Sequence, residues 1–216
     1  MKKRIVLMGV AAALTATALI GGSLAYFQAD GNDVRQQINT KTLGISLKDA
    51  KNGNLPSGTV LLPNAMPGED KELENKLVVS NTGDTPLYTR VTISKSWGAG
   101  DENSFVKDSE KDSGAIEFDP GENWYIMENT DGNDENMYLY YTKPVDVNSQ
   151  TDAVLDRIKI AEDLKNEYAD KSIKIDVEVD AVQASQSETA REDAILTEWG
   201  VLASFDENGN ITSIEE

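Results

Sequence analysis

The chain has 216 residues, 38 of them acidic against 20 basic, and a formal charge of −18 at neutral pH. It contains neither histidine nor cysteine, which excludes disulfides, zinc sites built on thiolates or imidazoles, and every Ser-His or Cys-His catalytic pair. Phosphate recognition depends on Lys and Arg neutralising the backbone, so nucleic acid is excluded as a partner, as is adsorption to an anionic bilayer; no cofactor is implied.

The first segment is unlike the rest. Lys2, Lys3 and Arg4 form a basic start, and the stretch from Ile5 to Ile20 is almost wholly apolar. Gly21-Gly22 breaks it, and Ser23-Leu24-Ala25 has the small-x-small pattern that a signal peptidase needs. The apolar run is shorter than the ~20 residues that span a bilayer. Residues 1–25 therefore read as a signal peptide cut between Ala25 and Tyr26, leaving no stable membrane anchor after cleavage. A retained anchor is the competing reading.

Residues 26–40 read as an N-terminal arm. Phe27, Val34 and Ile38 stand widely spaced among polar residues, too few to bury much within their own domain. Two readings stand: a solvated leader, or a strand donated to an exposed sheet edge of the next copy. In the second, Tyr26, Phe27, Val34 and Ile38 are the candidate assembly residues.

Residues 41–216 read as a single domain of short alternating strands. Leu43, Ile45 and Leu47 alternate with Thr42, Gly44 and Ser46. Leu87, Thr89, Val91 and Ile93 alternate with Tyr88, Arg90, Thr92 and Ser94. Ile173, Ile175, Val177, Val179 and Ala181 alternate with Lys174, Asp176, Glu178 and Asp180, which predicts one face on a core and one in water. Turn chemistry separates the runs at Asn81-Thr82-Gly83-Asp84, at Asn129 to Asn136 between the Trp124 and Tyr138 strands, and at Asn208-Gly209, which reads as a type I′ hairpin. Helix is the minority: a short one from Asp163 to Ala169, and a second opened by a capping box at Ser185-x-x-Glu188 and running toward Trp199. The fold class is all-β, an antiparallel β-sandwich with short helical excursions.

The chemistry that survives without His and Cys is carboxylate work, a Ser-Lys nucleophile, or oxygen-ligand Ca²⁺ binding. Asp131-Gly132-Asn133-Asp134-Glu135 is rich in oxygen ligands, yet its glycine comes too early for a helix-loop-helix calcium site, and a hydrated hairpin tip fits better. Asp101-Glu102 and Asp108 to Asp112 read as hydrated loops. Ser94-Lys95-Ser96 fails as a nucleophile pair because neighbours on a strand point to opposite faces. Trp97, Trp124, Trp199 and the Tyr138 to Tyr141 cluster suit either a sugar-stacking platform or a sandwich core, and the core is the commoner use. Leu55-Pro56-Ser57-Gly58-Thr59 is an out-of-order, internal likeness of a sortase signal. No catalytic or metal residue emerges.

Several segments together resemble the TasA/camelysin-like family of secreted proteins. They are Gly21-Gly22-Ser23-Leu24-Ala25-Tyr26-Phe27, Thr42-Leu43-Gly44-Ile45, Asn81-Thr82-Gly83 with Leu87-Tyr88-Thr89-Arg90-Val91, Asp180-Ala181-Val182-Gln183-Ala184, and Trp199-Gly200. Lys41 and Gly44 stand where that family usually has Gly and Asp. The resemblance implies a jelly-roll subunit of a Gram-positive biofilm matrix or cell envelope, cut by the signal peptidase SipW and assembling with its own copies into extracellular fibres. It also implies a metallopeptidase label, carried by camelysin, which the missing histidines do not support. The leading expectation is a secreted, non-enzymatic, self-assembling structural protein; the alternative is a secreted camelysin-like metallopeptidase or other carboxylate-based hydrolase.

Overall fold

The alternating run from Ile173 to Ala181 lies inside the longest strand pairing of the molecule, twelve consecutive partners from Ser172 opposite Gly98 to Gln183 opposite Leu87. The computed structural model describes residues 43, 45–49, 53–54, 59–101, 104–127 and 135–216, all within one unit, Thr40–Glu216. Along them run β1 (Ile45–Asp49), β2 (Gly53–Asn54), β3 (Thr59–Ala65), β4 (Asp70–Asn81), β5 (Leu87–Ala99), β6 (Val106–Lys107), β7 (Ile116–Asp119), β8 (Trp124–Met127), β9 (Asn136–Tyr141), β10 (Leu155–Ile160), β11 (Lys171–Gln183), the helix α1 (Glu188–Trp199), β12 (Leu202–Phe205) and β13 (Ile211–Glu215). Every pairing among them is antiparallel.

Sheet I has the order β2-β1-β4-β10-β7, and sheet II the order β3-β11-β5-β9-β8, with β6 paired to the end of β5. The chain changes sheet repeatedly, so the two sheets share one core. Leu77 and Val79 of β4, Ile116 of β7, and Leu155 and Ile158 of β10 meet Val91, Ile93 and Trp97 of β5, Leu139 of β9, and Ile173 and Ile175 of β11. Each such aliphatic side chain contributes about 1.5–3 kcal/mol when fully buried. Trp97 is wholly buried; its indole N–H donates to the Asp112 carbonyl at 3.0 Å, and Tyr168 meets its ring edge-on. The all-β antiparallel sandwich expected from the alternation is the fold.

A third layer covers the outer face of sheet II. Tyr88, Tyr140 and Val182 point away from the inter-sheet core and pack against Ile195 and Trp199 of α1, and against Val201, Ala203, Ile211 and Ile214. The Arg90 guanidinium lies over the rings of both Tyr138 and Trp199 and pairs with Asp180 at 2.8 Å. The face of β11 expected to stand in water is therefore wet at Glu178 and Asp180 but dry at Val182.

Three local expectations are corrected. The capping residue of α1 is Ser187, whose hydroxyl accepts from the Ala190 N–H, and not Ser185, which instead accepts from the Ser187 N–H in the preceding turn. The helix stops at Gly200, left-handed at φ 72°, with its N–H returned to the Leu196 carbonyl. The β12–β13 hairpin is not type I′, because only Gly209 of the Asn208-Gly209 pair has positive φ. Asp206 instead pairs with Asn210 around a three-residue loop, and its carboxylate accepts from the Asn208 and Asn210 N–H groups. The helix expected from Asp163 to Ala169 is only a 3₁₀ turn at Asn166–Tyr168.

Candidate functional site

Ala25, Tyr26, Phe27, Val34 and Ile38 lie outside the described residues, as do residues 1–25. What the described domain does present is its sheet edges. An open edge presents a row of backbone N–H and C=O groups, and proteins that must not add strands blunt it with charge, proline or bulges.

Three edges are blunted. In β4, β1 pairs only with Leu77 to Asn81, so Asp70 to Lys76 has no partner on that side among the described residues. That stretch reads Asp-Lys-Glu-Leu-Glu-Asn-Lys. Its register opposite Ile158 places Lys71 on the inter-sheet side, yet Lys71 is exposed, an inward charge at an edge. Asp70 is tied to Arg157 at 3.0 Å, and Lys76 to Glu72 and Asp156. The outer edge of β7 carries Glu117 and Asp119. β3 is uncharged but contains Pro63 next to Asn64, at φ 54°, where the register against β11 breaks.

The edge of β8 has none of these devices. Its four residues, Trp124-Tyr125-Ile126-Met127, carry no charge and no proline, and pair with β9 in unbroken register from Trp124 opposite Tyr141 to Met127 opposite Tyr138. Among the described residues nothing pairs with its far side. Both faces hold the strand in place. Trp124 packs on the inter-sheet core and donates its indole N–H to the Asp152 carbonyl at 3.3 Å, while the Tyr125 hydroxyl reaches the Ile214 carbonyl at 3.4 Å. Ile126 shares the inward side with Trp124 by strand alternation but is 38% exposed. A polar cluster fixes the entrance: the Asp152 carboxylate accepts from Asn123 at 2.6 Å and from the Tyr141 hydroxyl at 3.0 Å. Burial, then this bond to Asp152, pushes the Tyr141 phenol above its ordinary value. The one sequence signal for this edge was four large uncharged residues in succession in an acidic chain.

The other candidates resolve into structure. Lys95 faces inward between Ile93 and Trp97, its ammonium donating to the Ile116 carbonyl at 2.7 Å, while Ser94 on the opposite face bonds Asn136. Asp108 pairs with Lys171 at 2.9 Å, which holds its carboxyl below the usual range. Asp101 bonds Ser104, and Glu135 bonds Lys107 at 2.6 Å; Glu102 and Asp131 to Asp134 lie outside the described residues, as do Leu55 to Gly58. Trp97 and Trp199 are core residues of two different layers, and Trp124 packs partly buried beside the first. Among the described residues no group of three carboxylates is placed to hold a metal ion, and no helix is long and apolar enough to cross a membrane. Compared with protein-family models, curated proteins and solved structures, the chain matches none.

Proposed function

We propose that this chain is a secreted structural protein that assembles with its own copies into extracellular fibres or an envelope layer, in the manner its resemblance to the TasA/camelysin-like family implies. In this reading the domain is a jelly-roll-like subunit, the signal segment is removed by a SipW-like peptidase, and the arm of residues 26–40 adds as a strand to β8 of the next copy. The observation that carries the reading is the β8 edge, uncharged, unbroken and rigidly seated in a molecule of net charge −18.

Val34 and Ile38 share one side of an extended arm and would lie beside the half-exposed Ile126. Their burial, at roughly 1.5–3 kcal/mol each when complete, and the main-chain bonds to the edge act against the entropy of ordering the arm. An arm entering the next copy makes a contact that does not close on itself, so the product is a filament rather than a dimer. Cleavage is the switch, because Tyr26 becomes a free terminus only after it. No cofactor enters, and no catalytic residue is assigned.

The test is electron microscopy and light scattering of the secreted protein, with its N-terminus sequenced. The expected terminus is Tyr26. Protein lacking residues 26–38 should stay folded and monomeric, and Ile126→Lys, which charges the receiving edge, should block fibres with an unchanged circular dichroism spectrum. Fibres formed by the truncated protein at the full-length rate would rule out the arm. Fibres formed at that rate by Ile126→Lys would rule out β8.

A further inference from the structure

On the outer face of sheet I, away from β8, the end of β4 forms the floor of an open recess of about 520 Å³. Its walls are Lys48 of β1 on one side and the segment Asn148-Ser149-Gln150 on the other, with Ser80 and Thr82 beneath. The segment is fixed in place: Asn148 adopts φ 61°, its N–H donates to the Asn81 carbonyl, the Asn81 N–H donates to the Ser149 carbonyl, and the Thr151 N–H donates to the Val79 carbonyl. The Asn81 side chain is itself spent on the carbonyls of Thr85 and Val145 and on the Gly83 N–H. The recess is thus built by backbone pairing and needs no rearrangement to exist.

Its polar groups are placed but not used. Ser80 is 3% exposed, and its hydroxyl has no hydrogen-bond partner among the described residues. Ser46 stands directly opposite Ser80 in the register of β1 with β4 but does not line the recess. Lys48, two residues along that face, forms no ion pair among the described residues, in a chain with nearly twice as many acids as bases. Among the described residues no acidic, aromatic or aliphatic one lines the recess. Buried polar residues ordinarily find partners, so the Ser80 hydroxyl with none among the described residues, beside the Lys48 ammonium with no ion pair among them, marks a place where a ligand completes the bonding.

We infer that this recess binds a sugar acid, a hydroxylated ring bearing one carboxylate. The Lys48 ammonium takes the carboxylate in a charge-assisted bond. Ser80 donates from the floor, and the amides of Asn148 and Gln150, with the hydroxyls of Ser149 and Thr82, each offer both donors and acceptors to ring hydroxyls. A bare ion would leave most of the space unfilled, and an apolar molecule would strand the polar lining. The recess falls within the range of about 300–1,000 Å³ usual for small-ligand sites. This assignment is independent of strand addition, since it uses the opposite sheet.

The test is a titration of ¹⁵N-labelled protein with D-glucuronate, followed by amide shifts. Saturable shifts are expected at Lys48, Ser80, Ser149 and Gln150. D-glucose, which lacks the carboxylate, and acetate, which lacks the hydroxyls, should each bind at least about tenfold more weakly, as expected for removing a bond to a charged group or several neutral ones. Lys48→Gln should weaken glucuronate about tenfold or more and Ser80→Ala by about fivefold, with the amides of β11 unmoved as a check on the fold. Absence of saturable shifts, glucose or acetate binding as tightly as glucuronate, or unchanged affinity in Lys48→Gln would each overturn the assignment.

Discussion

The Tyr88 hydroxyl donates to the Gly209 carbonyl at 2.6 Å, joining two residues 121 positions apart. Tyr88 lies on the outer face of sheet II, and Gly209 closes the β12–β13 hairpin, so the bond fastens the third layer to the sandwich. The Arg191 guanidinium supports the same corner by lying 4.8 Å from the centre of the Phe205 ring and donating to the Ser185 carbonyl. Tyr88→Phe should cost about 1 kcal/mol, the net worth of a neutral hydrogen bond. The loss should be local: amide hydrogen exchange should quicken in β12 and β13 while β5 and β11 remain protected. Uniform acceleration would show that the layer does not open separately.

Burial raises the phenol pKa of Tyr88, Tyr140 and Tyr141 above the ordinary value of 10.0. An acid whose folded pKa is raised stabilises the fold below its unfolded pKa, and that contribution is lost as pH climbs toward the folded value. Stability should therefore be flat up to about pH 9 and fall steeply above about pH 10, where unfolded tyrosines ionise and buried ones do not. Urea midpoints across that range, with phenolate absorbance followed in parallel, check the expectation. Three tyrosines titrating in the native state at their ordinary value would contradict it.

Self-association should be promoted by acid. Mutual repulsion at net charge −18 keeps copies apart near neutral pH, and the sequence pI of about 4.3 sets where that repulsion vanishes. The fold should survive the approach. Asp108, held by Lys171, and Asp206, held by Asn210, both have carboxyl pKa values below the usual 3.8, so their contributions are present above that value and lost only as pH falls through the lower one. Light scattering should rise from neutral pH toward pH 4.5 while near-ultraviolet circular dichroism holds steady. Added salt at neutral pH should act in the same direction by screening. Scattering that stays flat over the series would argue against charge as the barrier.

Gly98 is a position where only hydrogen fits. A Cβ there would fall 2.4 Å from both the Phe105 ring and the Val106 carbonyl, because β6 closes directly over it. Gly98→Ala should destabilise the domain by about 1–3 kcal/mol, as overpacking does, with the largest chemical-shift changes at Phe105 and Val106. Gly200→Ala, by contrast, meets nothing within 4 Å and should cost only the strain of its left-handed backbone.

The central strands were legible because each has one simple face. The alternation of Ile173, Ile175 and Val177 names the inward side of β11, and Val91 and Ile93 name that of β5. The first half of β4 was illegible for the opposite reason: Asp70 to Lys76 is mostly charged, and its strand state is imposed by pairing with β10. The third layer was missed although it left a trace. Leu87 beside Tyr88, and Leu139 beside Tyr140, are adjacent apolar residues on a strand, and adjacent residues face opposite ways, so both faces had to be covered. Nor could local sequence reveal the recess beside Lys48. It is created by a register, Ser46 opposite Ser80, and by a segment 68 positions further on from Ser80 at Asn148, neither of which has a periodic signature.

Because α1 and the β12–β13 hairpin follow every strand of the two sheets in sequence, the sandwich is paired before its outer layer is supplied. Both sheets are complete once Gln183 has arrived, but Tyr88, Tyr140 and Val182 remain wet until the stretch from Ile195 to Ile214 folds over them. A chain that folds as it is delivered from its N-terminal side would thus carry this outward apolar patch uncovered until residues 195–214 arrive. Sealing that patch therefore depends on the stretch from Ile195 to Ile214, whose loss would leave the strands of both sheets paired but the outer face of sheet II bare.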